Sequence, residues 1–311
     1  ADPVSMTALD VGQGACTVLR GGGATFVVDC GGEGGEAAGE TAARELRMGG
    51  ETSIDGLILT HLDADHCNGA AQLMARVQVR RLFLPEQESD SREAILTAAE
   101  RCGTEIVFVT EDLSLDFSGG SLRLFAPVLP GSRNCGLAAL MSAGEYDILI
   151  PGDMPAAAER VLADTHSLPQ VEVLVVGHHG AAGSTAPELL QAVSPEIAVI
   201  SVGADNSYGH PHAEPLSRLR QAGTVILRTD ELGTIQAVSD GKTVTLTWEN
   251  QSENPENAET AAQTVFIGNQ KSRKFHSPDC ANLPAEKNSV EFSSYQAAID
   301  AGYTPCSSCL K

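Results

Sequence analysis

Short apolar runs, many of them bounded by glycine or other turn residues, recur along residues 4–248. Their length and boundaries predict β-strands. The predicted strands are Met6–Val11, Ala15–Leu19, Thr25–Val28, Gly56–Leu59, Val77–Leu84, Glu105–Val109, Ser121–Phe125, Asp147–Ile150, Val171–Val176, Ile197–Val202, Thr224–Leu227, Thr234–Ala237 and Thr243–Trp248. Longer segments with helical spacing of apolar residues separate several of them. The predicted helices are Ala37–Met48, Asn68–Ala75, Ser91–Cys102, Ala156–Asp164, Ala186–Val193 and Pro215–Ala222.

This order of elements predicts an α/β layered fold for residues 1–248, because two opening hairpins are followed by alternating strands and helices. The stretch Glu249–Thr260 then contains no large apolar residue, which is typical of a solvated linker. We therefore expect three parts: a domain over 1–248, a linker over 249–263 and a small module over 264–311.

The charge of the chain is strongly negative and unevenly spread. Lysine and arginine number 20 against 41 acidic residues, a formal charge of −21. Residues 264–311 hold five basic and four acidic residues, so the negative excess belongs to the first 263. A protein that holds nucleic acid by broad counterion release needs a basic stripe, which this composition argues against. Any anionic substrate must be bound locally.

Membrane spans and a disulfide framework are not expected. No run approaches the roughly 20 apolar residues of a spanning helix, and the N-terminus lacks the basic and apolar regions of a signal peptide. We expect a soluble chain. Five cysteines are scattered irregularly through the first part (Cys16, Cys30, Cys67, Cys102 and Cys135), which favours small buried side chains over disulfides.

The highest concentration of potential metal ligands lies directly after the predicted strand that ends at Leu59. Four potential metal ligands fall within six residues there: His61, Asp63, Asp65 and His66. Two carboxylates two residues apart repel each other unless a cation or a proton lies between them. The segment therefore predicts a metal site, and the alternative is an exposed acidic turn with two incidental histidines.

Three further polar points follow predicted strands in the same way. They are Asp153, the pair His178-His179, and His210. If these strands are neighbours in one sheet, their carboxyl ends share an edge and these side chains meet there. That edge is the predicted site.

In combination these residues resemble the metallo-β-lactamase superfamily, and more narrowly its ComEC-like hydrolase branch. The resemblance covers nearly all of residues 4–248. It rests on Leu9-Asp10-Val11-Gly12-Gln13-Gly14, Val27-Val28-Asp29, Thr60-His61-Leu62-Asp63-Ala64-Asp65-His66, Gly152-Asp153, His178-His179-Gly180 with Ser184, and Tyr208-Gly209-His210-Pro211.

The resemblance implies an αββα sandwich with one or two metal ions at the sheet edge. By position His61 and Asp63 would serve the first metal, Asp65 and His66 the second, and Asp153 would bridge them. His178 and His179 are further candidate ligands, while Asp65, His179 and His210 are the candidate catalytic residues. The residues expected to support the ligands are Asp10, Asp29, Asn134 and Ser184.

The chain departs from the family pattern at two places. The segment Asn134-Cys135-Gly136-Leu137 stands where ComEC-like domains tend to have Asn-Asn-Ser-Leu, and Ala15 stands where an acidic residue is common. Cys135 is either a soft ligand or a small buried residue. Neither departure removes a predicted core ligand.

The chemistry that follows is metal-dependent hydrolysis of a phosphodiester, with a metal-bound hydroxide as nucleophile. Two divalent ions, zinc or manganese, would activate water and clamp the attacking and leaving oxygens. One of His178, His179 and His210 would be a ligand and another would contact phosphate or leaving group. The expected substrate is single-stranded DNA or another phosphoester. The alternatives are a hydrolase of a small phosphoester and an inactive metal-binding module that retains the fold.

The tail holds a second set of ligands, His276 and Cys280 followed by Cys306 and Cys309. A module of fewer than about 50 residues buries too little core to fold easily unaided, so a structural zinc is the natural remedy. The alternative is a disulfide from Cys306 to Cys309 or Cys280. Between the pairs, Val290–Phe292 is predicted as a strand and Ser293–Ala301 as a helix.

The tail resembles the small Ada-like metal-binding module, with His276 where the first ligand is usually cysteine. Fusion of such modules to secreted bacterial hydrolases implies nucleic-acid contact and an extracellular or membrane-anchored location. Lys271, Arg273 and Lys274 form the only basic cluster of the tail, and a solvated surface explains them equally well. Nothing in the sequence points to a protein partner.

Overall fold

The computed structural model describes residues 3–129, 136–241, 243–250, 266–276, 280, 283–292, 298 and 301–306. Its strands are β1 Val4–Ala8, β2 Thr17–Gly21, β3 Ala24–Val28, β4 Ser53–Ile54, β5 Gly56–Ile58, β6 Gln78–Val79, β7 Arg81–Leu84, β8 Glu105–Phe108, β9 Leu113–Phe117, β10 Gly120–Phe125, β11 Ala138–Ala143, β12 Tyr146–Ile150, β13 Val173–Val175, β14 Ile197–Ile200, β15 Val225–Arg228, β16 Ile235–Ser239, β17 Val244–Trp248, β18 Phe266–Asn269, β19 Lys274–His276, β20 Ser289–Phe292 and β21 Thr304–Pro305.

The helices cover the segments between these strands. They are α1 Ala37–Met48, α2 Ala64–Cys67, α3 Ala70–Arg76, α4 Arg92–Cys102, α5 Ala156–Thr165, α6 Pro187–Val193, α7 Ala213–Gln221 and α8 Thr229–Leu232. Single 3-10 turns lie at Gly177–Gly180 and Glu286–Asn288. No helix in the described ranges has both the length and the apolar character needed to cross a membrane.

Three hydrophobic clusters lie between four layers of secondary structure, namely helices, two sheets and helices. The central cluster joins the inner faces of two sheets, for example Phe26 and Ile58 of one with Met141 and Ile148 of the other. A second cluster packs α1, α3 and α4 on the outer face of the first sheet. A third packs α5, α6 and α7 on the outer face of the second sheet. The predicted α/β layered fold, an αββα sandwich, is confirmed.

Each of the two sheets contains a run of parallel strands, whose carboxyl ends lie along one edge of that sheet. The first has the order β17-β16-β1-β2-β3-β5-β7-β8, with β3, β5, β7 and β8 parallel. The second has the order β15-β14-β13-β12-β11-β10-β9, with β12 to β15 parallel. The segments that follow β3, β5, β12, β13 and β14 hold the predicted site residues. These strands are not neighbours in one sheet, because β3 and β5 lie in the first sheet and β12, β13 and β14 in the second. The carboxyl ends of both sets meet at one end of the sandwich, where Asp65, His66, Asp153 and His179 converge.

Most predicted elements are present with ends shifted by a few residues, and α1 matches its predicted range. The prediction missed the strands Leu113–Phe117 and Ala138–Ala143, as well as the short β4 and the tail strands β18, β19 and β21. The strand Ala138–Ala143 is rich in alanine and leucine, which favour helix, and the chain is held extended by antiparallel pairing on both sides. The predicted strand Met6–Val11 stops at Ala8, since Leu9–Val11 enters the loop beside the candidate site.

The tail forms a separate four-stranded sheet with the order β20-β18-β19-β21. Its core consists of Phe266, Phe275, Ala298 and Tyr303. The predicted strand Val290–Phe292 lies within β20. The predicted helix Ser293–Ala301 and the predicted linker fall mostly outside the described residues.

Candidate metal centre

Four side chains from three segments converge at the shared strand edge. They are Asp65, His66, Asp153 and His179, and their ligand atoms all lie within 4.8 Å of one another. The Nε2 atom of His66 lies 3.2 Å from Nε2 of His179 and 3.1 Å from Oδ1 of Asp153. The Nε2 atom of His179 lies 3.3 Å from Oδ2 of Asp65. Each of the four residues therefore places at least one potential ligand atom in the same small volume.

The two imidazoles are fixed by hydrogen bonds from their other nitrogens. His66 donates from Nδ1 to Oδ2 of Asp29 at 2.8 Å, and His179 donates from Nδ1 to the Ser201 carbonyl at 2.8 Å. With the Nδ1 protons committed outward, each neutral ring turns an Nε2 lone pair toward the other. Two lone pairs at 3.2 Å repel unless a cation or an added proton lies between them, so the donor set fits a metal ion.

Asp29 also sets the tautomer of His61. Thr60 donates its backbone N–H to Oδ1 of Asp29 at 2.7 Å and its hydroxyl to Oδ2 at 2.8 Å. Since the Thr60 hydroxyl proton is used, its oxygen accepts from Nδ1 of His61 at 3.1 Å. The Nε2 lone pair of His61 is consequently left inward, and this buried atom has no hydrogen-bond partner in the described part of the chain. Such outer hydrogen bonds orient metal-binding histidines.

Asp153 divides its two oxygens between two groups of ligands. Its Oδ1 faces His66, while its Oδ2 lies 3.9 Å from Nε2 of His61 and 3.6 Å from Nε2 of His178. Asp63 also approaches His61, with 3.9 Å between Oδ2 and Nε2, although its side chain is 44% exposed. The carboxylates of Asp29, Asp63, Asp65 and Asp153 carry four negative charges, which two divalent cations would neutralise. The donor set therefore fits a cationic site, with the two oxygens of Asp153 directed at different ligand atoms.

The electric field of the cluster favours positive charge at its centre. Burial opposes charging of His66, but the carboxylates of Asp153 and Asp29 outweigh burial and raise its pKa well above the usual value. Burial would raise the pKa of Asp65, but a hydrogen bond to His179 lowers it to about 2. His61 behaves differently, because burial and the neighbouring His66 lower its pKa to about 4. The imidazole of His61 is therefore neutral at physiological pH, and its Nε2 lone pair is available to a metal ion.

The open alternative of an exposed acidic turn does not describe this segment. The side chains of His61 and His66 are 1% and 2% exposed. Asp65 and His66 lie on the short helix α2, where a tight turn of alternating side chains was expected. The helix brings His66 inward beside Asp65, because successive residues of a helix point about 100° apart.

A polar scaffold behind the cluster holds the turn that carries His178 and His179. Both histidines have a φ of +52°, in the left-handed region that side chains other than glycine rarely adopt. Ser184 is buried, and its hydroxyl lies 2.8 Å from the Gly177 carbonyl and 3.0 Å from that of Ala181. The predicted supporting residue Ser184 therefore contacts the turn rather than the ligands themselves.

Glu159 and Arg218 complete this scaffold, and sequence reasoning missed both. Glu159 is fully buried on α5 and accepts the backbone N–H groups of Thr185 at 2.9 Å and Ala186 at 2.6 Å. Arg218 donates to the Ser184 carbonyl at 2.8 Å. The sequence did contain an indication of Glu159, because this acidic residue lies between Ala158 and Leu162 on the apolar face of a predicted helix.

We expect Glu159 to make the folded state less stable as pH rises from about 4.5 to about 7. Burial raises its pKa from 4.5 to about 7, against the opposing backbone N–H groups of Ala186 and Thr185. The folded state binds the proton more tightly in this window, so the stabilisation present below pH 4.5 is lost as pH passes 7. The loss is about 3 kcal/mol. Urea unfolding at pH 5 and pH 8 measures it.

The variant Glu159→Gln removes this titration and should show a smaller difference in unfolding free energy between the two pH values. The matched control is Glu145→Gln, which changes an exposed acid in the β11–β12 turn and should keep the wild-type difference. Equal pH dependence in wild type and Glu159→Gln would contradict the assignment.

The remaining predicted residues lie around the cluster or outside the described ranges. His210 lies beside it, with ring centroids 5.8 Å from His178 and 6.1 Å from His179. Asp10 is exposed, and its carboxylate accepts the Gly12 N–H at 3.1 Å, so it shapes its own loop. Asn134 and Cys135 are outside the described residues.

Gly136 explains one departure from the family pattern. A Cβ atom there would lie 1.9 Å from the Thr60 carbonyl oxygen, and Leu137 donates its N–H to that oxygen at 2.7 Å. In this backbone the segment can pack against Thr60 only with glycine at position 136.

The tail gathers three of its four predicted ligands. His276, Cys280 and Cys306 are buried with their ligand atoms within 4.8 Å of one another, and Nδ1 of His276 lies 3.3 Å from Sγ of Cys280. Cys280 is a free thiol, while Cys309 lies outside the described residues. Thiol and imidazole at this spacing suit a tetrahedral metal. Elsewhere Cys16, Cys30 and Cys67 are buried and Cys102 is exposed.

Two family models match the chain. The model of the metallo-beta-lactamase superfamily matches residues 9–204, and the metal binding domain of Ada matches residues 253–311. Among solved structures, the metallo-beta-lactamase fold protein YhfI from Bacillus subtilis aligns with 79% of this chain and 100% of its own, with a TM-score of 0.51 and 12% identity. That similarity concerns the fold alone.

Curated relatives include two named proteins of longer length. ComE operon protein 3 of Bacillus subtilis is 34% identical over 196 residues, which is 61% of this chain and 25% of that protein. Recombination protein 2 of Haemophilus influenzae is 29% identical over 233 residues, which is 73% of this chain and 28% of that protein. The chain thus spans little more than a quarter of the length of these relatives.

Proposed function

The chain belongs to the metallo-β-lactamase superfamily of metal-dependent hydrolases and carries an Ada metal-binding domain at its C-terminus, and from this premise we propose that it is a phosphodiesterase of the ComEC-like branch acting on single-stranded DNA. The observation that carries the proposal is the division of the Asp153 carboxylate between two groups of ligand atoms. A pair of such positions would stabilise both the attacking and the leaving oxygen of an in-line displacement at phosphorus.

The ligand sets differ in composition. Asp65, His66 and His179 would hold one ion with Oδ1 of Asp153, while His61, Asp63 and His178 would surround the other with Oδ2. Two divalent ions held by these residues would supply an activated water and a Lewis acid. Imidazole nitrogens suit zinc and the carboxylate oxygens suit manganese, so either metal is compatible with the mixed set.

Residues of the chain would position the substrate and manage protons. His178 is about one-third exposed, with Nε2 3.6 Å from Oδ2 of Asp153, and it is placed to be a ligand or to touch the phosphate. His210 lies further out, next to His178, where it would contact the phosphate or the leaving oxygen. Burial, with the neighbouring His179, lowers the pKa of His210 to about 4, so it would accept rather than donate a proton at pH 7.

We expect wild-type protein with added manganese or zinc to hydrolyse bis-para-nitrophenyl phosphate and single-stranded DNA, and Asp65→Ala to lose most of that activity. Removing Asp65 takes a carboxylate from one ligand group, so an ion held there with His66 and His179 would be bound less tightly. The matched control is Asp164→Ala, an exposed acid near the end of α5. Equal rates in wild type and Asp65→Ala would refute the proposal.

A second candidate function is hydrolysis of a small phosphoester, and the charge of −21 favours it because a long polyanion is repelled by an acidic surface. Fast turnover of a small diester with slow turnover of long DNA would support this alternative. Metal bound without turnover of any ester would instead indicate a module that retains the fold for binding.

For the tail we propose one zinc ion held by His276, Cys280, Cys306 and Cys309, in a module covering 264–311 that follows the linker 249–263. The buried cluster of three ligands supports it. We also propose an extracellular or membrane-anchored bacterial location, which rests on the resemblance to ComEC-like domains and on bacterial relatives such as ComE operon protein 3. No protein partner is proposed.

A further inference from the structure

Tyr208 is an exposed aromatic side chain at the mouth of the candidate metal centre. Its side chain is 65% exposed, the largest value among the aromatic residues that the structure describes. Among the described residues the other exposed aromatic ring is that of Phe108, at 38%. That ring is partly covered, because the guanidinium of Arg92 lies over it at 5.3 Å. Large aromatic rings normally bury much of their surface, so an uncovered ring beside a site suggests a ligand contact.

The ring of Tyr208 begins a stack that leads inward to the metal ligands. It lies 5.7 Å from the ring of His210 with an interplanar angle of 19°. His210 in turn lies 6.1 Å from His179 with an angle of 23°. Three nearly parallel rings thus connect solvent to the ligand cluster. His210 covers the inner side of Tyr208, which leaves its outer side toward solvent.

The loop that carries this stack is held rigidly. The side chain of Asn206 accepts the His210 N–H at 3.0 Å and donates to the carbonyls of His210 at 2.7 Å and Gly203 at 3.0 Å. His212 donates its N–H to the Gly180 carbonyl at 2.9 Å, which ties the loop to the turn of His178 and His179. A contact surface that is already ordered loses little entropy when a ligand binds.

We propose that Tyr208 is a stacking platform for an unpaired nucleobase, so that the substrate is a single strand with a base beside the phosphate in the metal centre. This inference rests on the proposed phosphodiesterase function and extends it to a subsite that selects the substrate. Stacking accepts any base because every base has a flat π-face. Two ring steps separate the platform from His179, which suits a nucleotide next to the cleaved phosphate.

The platform also answers the difficulty posed by the acidic surface. A chain with a formal charge of −21 cannot hold DNA through many phosphate contacts and counterion release. Base stacking contributes affinity without positive charge, at about 1–3 kcal/mol per base. A paired base in a duplex offers no free face, so the platform discriminates against double-stranded substrate.

The test compares Tyr208→Ala with Tyr208→Phe on a short single-stranded oligonucleotide and on the same strand with abasic nucleotides around the cleaved bond. We expect Tyr208→Ala to raise KM for the base-containing strand about 5- to 100-fold with little change in kcat. Tyr208→Phe keeps the ring and should remain within about twofold of wild type. On the abasic strand all three proteins should be alike. Unchanged KM in Tyr208→Ala would overturn the platform.

A binding measurement separates failure of this inference from failure of the proposed function. Fluorescence anisotropy with the metal-loaded protein and a labelled single strand reports binding without requiring cleavage. Weaker binding by Tyr208→Ala than by Tyr208→Phe supports the platform even if no strand is cleaved. If wild type cleaves both strands equally and binds as tightly as Tyr208→Ala, the platform is refuted while the phosphodiesterase stands. Absence of any strand binding by wild type also refutes the platform.

Discussion

Asp153→Asn is expected to lower kcat/KM for phosphodiester hydrolysis about a thousandfold, equivalent to about 4 kcal/mol of transition-state stabilisation. Asparagine keeps the shape of the side chain but replaces one charged oxygen with an N–H donor. Because Oδ1 faces His66 and Oδ2 faces His61 and His178, one of the two ligand groups loses its carboxylate in either orientation of the amide. The variant should therefore bind less metal as well.

Two measurements check this expectation: steady-state hydrolysis of bis-para-nitrophenyl phosphate, and metal content of the purified protein by mass spectrometry. Asp164→Asn is the matched control, since it makes the same chemical change on an exposed helix position. The control should keep wild-type rates and metal content. A kcat/KM for Asp153→Asn within about threefold of wild type, a difference of under 1 kcal/mol, would contradict a central role for this carboxylate.

Cys280→Ser is expected to release the metal of the tail and to unfold that module. Structural zinc contributes about 10–16 kcal/mol of binding free energy in small zinc-dependent peptides, and here that energy is coupled to folding. The described core of the tail has only four buried members, Phe266, Phe275, Ala298 and Tyr303. A module of about 50 residues buries too little apolar surface to fold easily without the metal.

Zinc content and limited proteolysis with mass spectrometry test this expectation. Cys280→Ser should lose one zinc per chain and be cut rapidly within residues 264–311, while its hydrolysis of a small diester stays at the wild-type rate. Cys102→Ser serves as the control, because Cys102 is an exposed free cysteine on α4. Retention of the zinc and of protease resistance by Cys280→Ser would show that the tail folds without this ligand.

The acidity of the chain has a partly local explanation. Four of its carboxylates, those of Asp29, Asp63, Asp65 and Asp153, gather in the candidate metal centre, where cations would neutralise them. Most of the remaining acidic residues lie elsewhere, and nothing in the structure explains their number. The acidic surface therefore disfavours binding of long DNA. Contacts that need no positive charge, such as base stacking, would then contribute more of the binding free energy.

Local sequence patterns predicted most of the elements and supplied the candidate residues of the site. The helix Ala37–Met48 was predicted with its observed limits, because its alanine-rich repeat has a clear helical period. The strand Ala138–Ala143 was missed, since its alanine and leucine content favours a helix and only pairing with β10 and β12 holds it extended. Strand-end positions identified Asp153 and His179 before any distance was known.

By itself the sequence determined an α/β layered fold, which follows from periodicity, while the αββα arrangement and the family followed from the resemblance of its motifs to the metallo-β-lactamase superfamily. It also named the acidic and imidazole side chains that are candidates for the site. Only the tertiary structure decided which of those side chains face the candidate metal centre and which hold them in place. It showed Asp29 orienting His66 directly and His61 through Thr60, and Glu159 holding the turn behind the ligands. It also showed Tyr208 stacked toward the centre. Such contacts join residues far apart in the chain, and no local pattern encodes their distances or the direction of a lone pair.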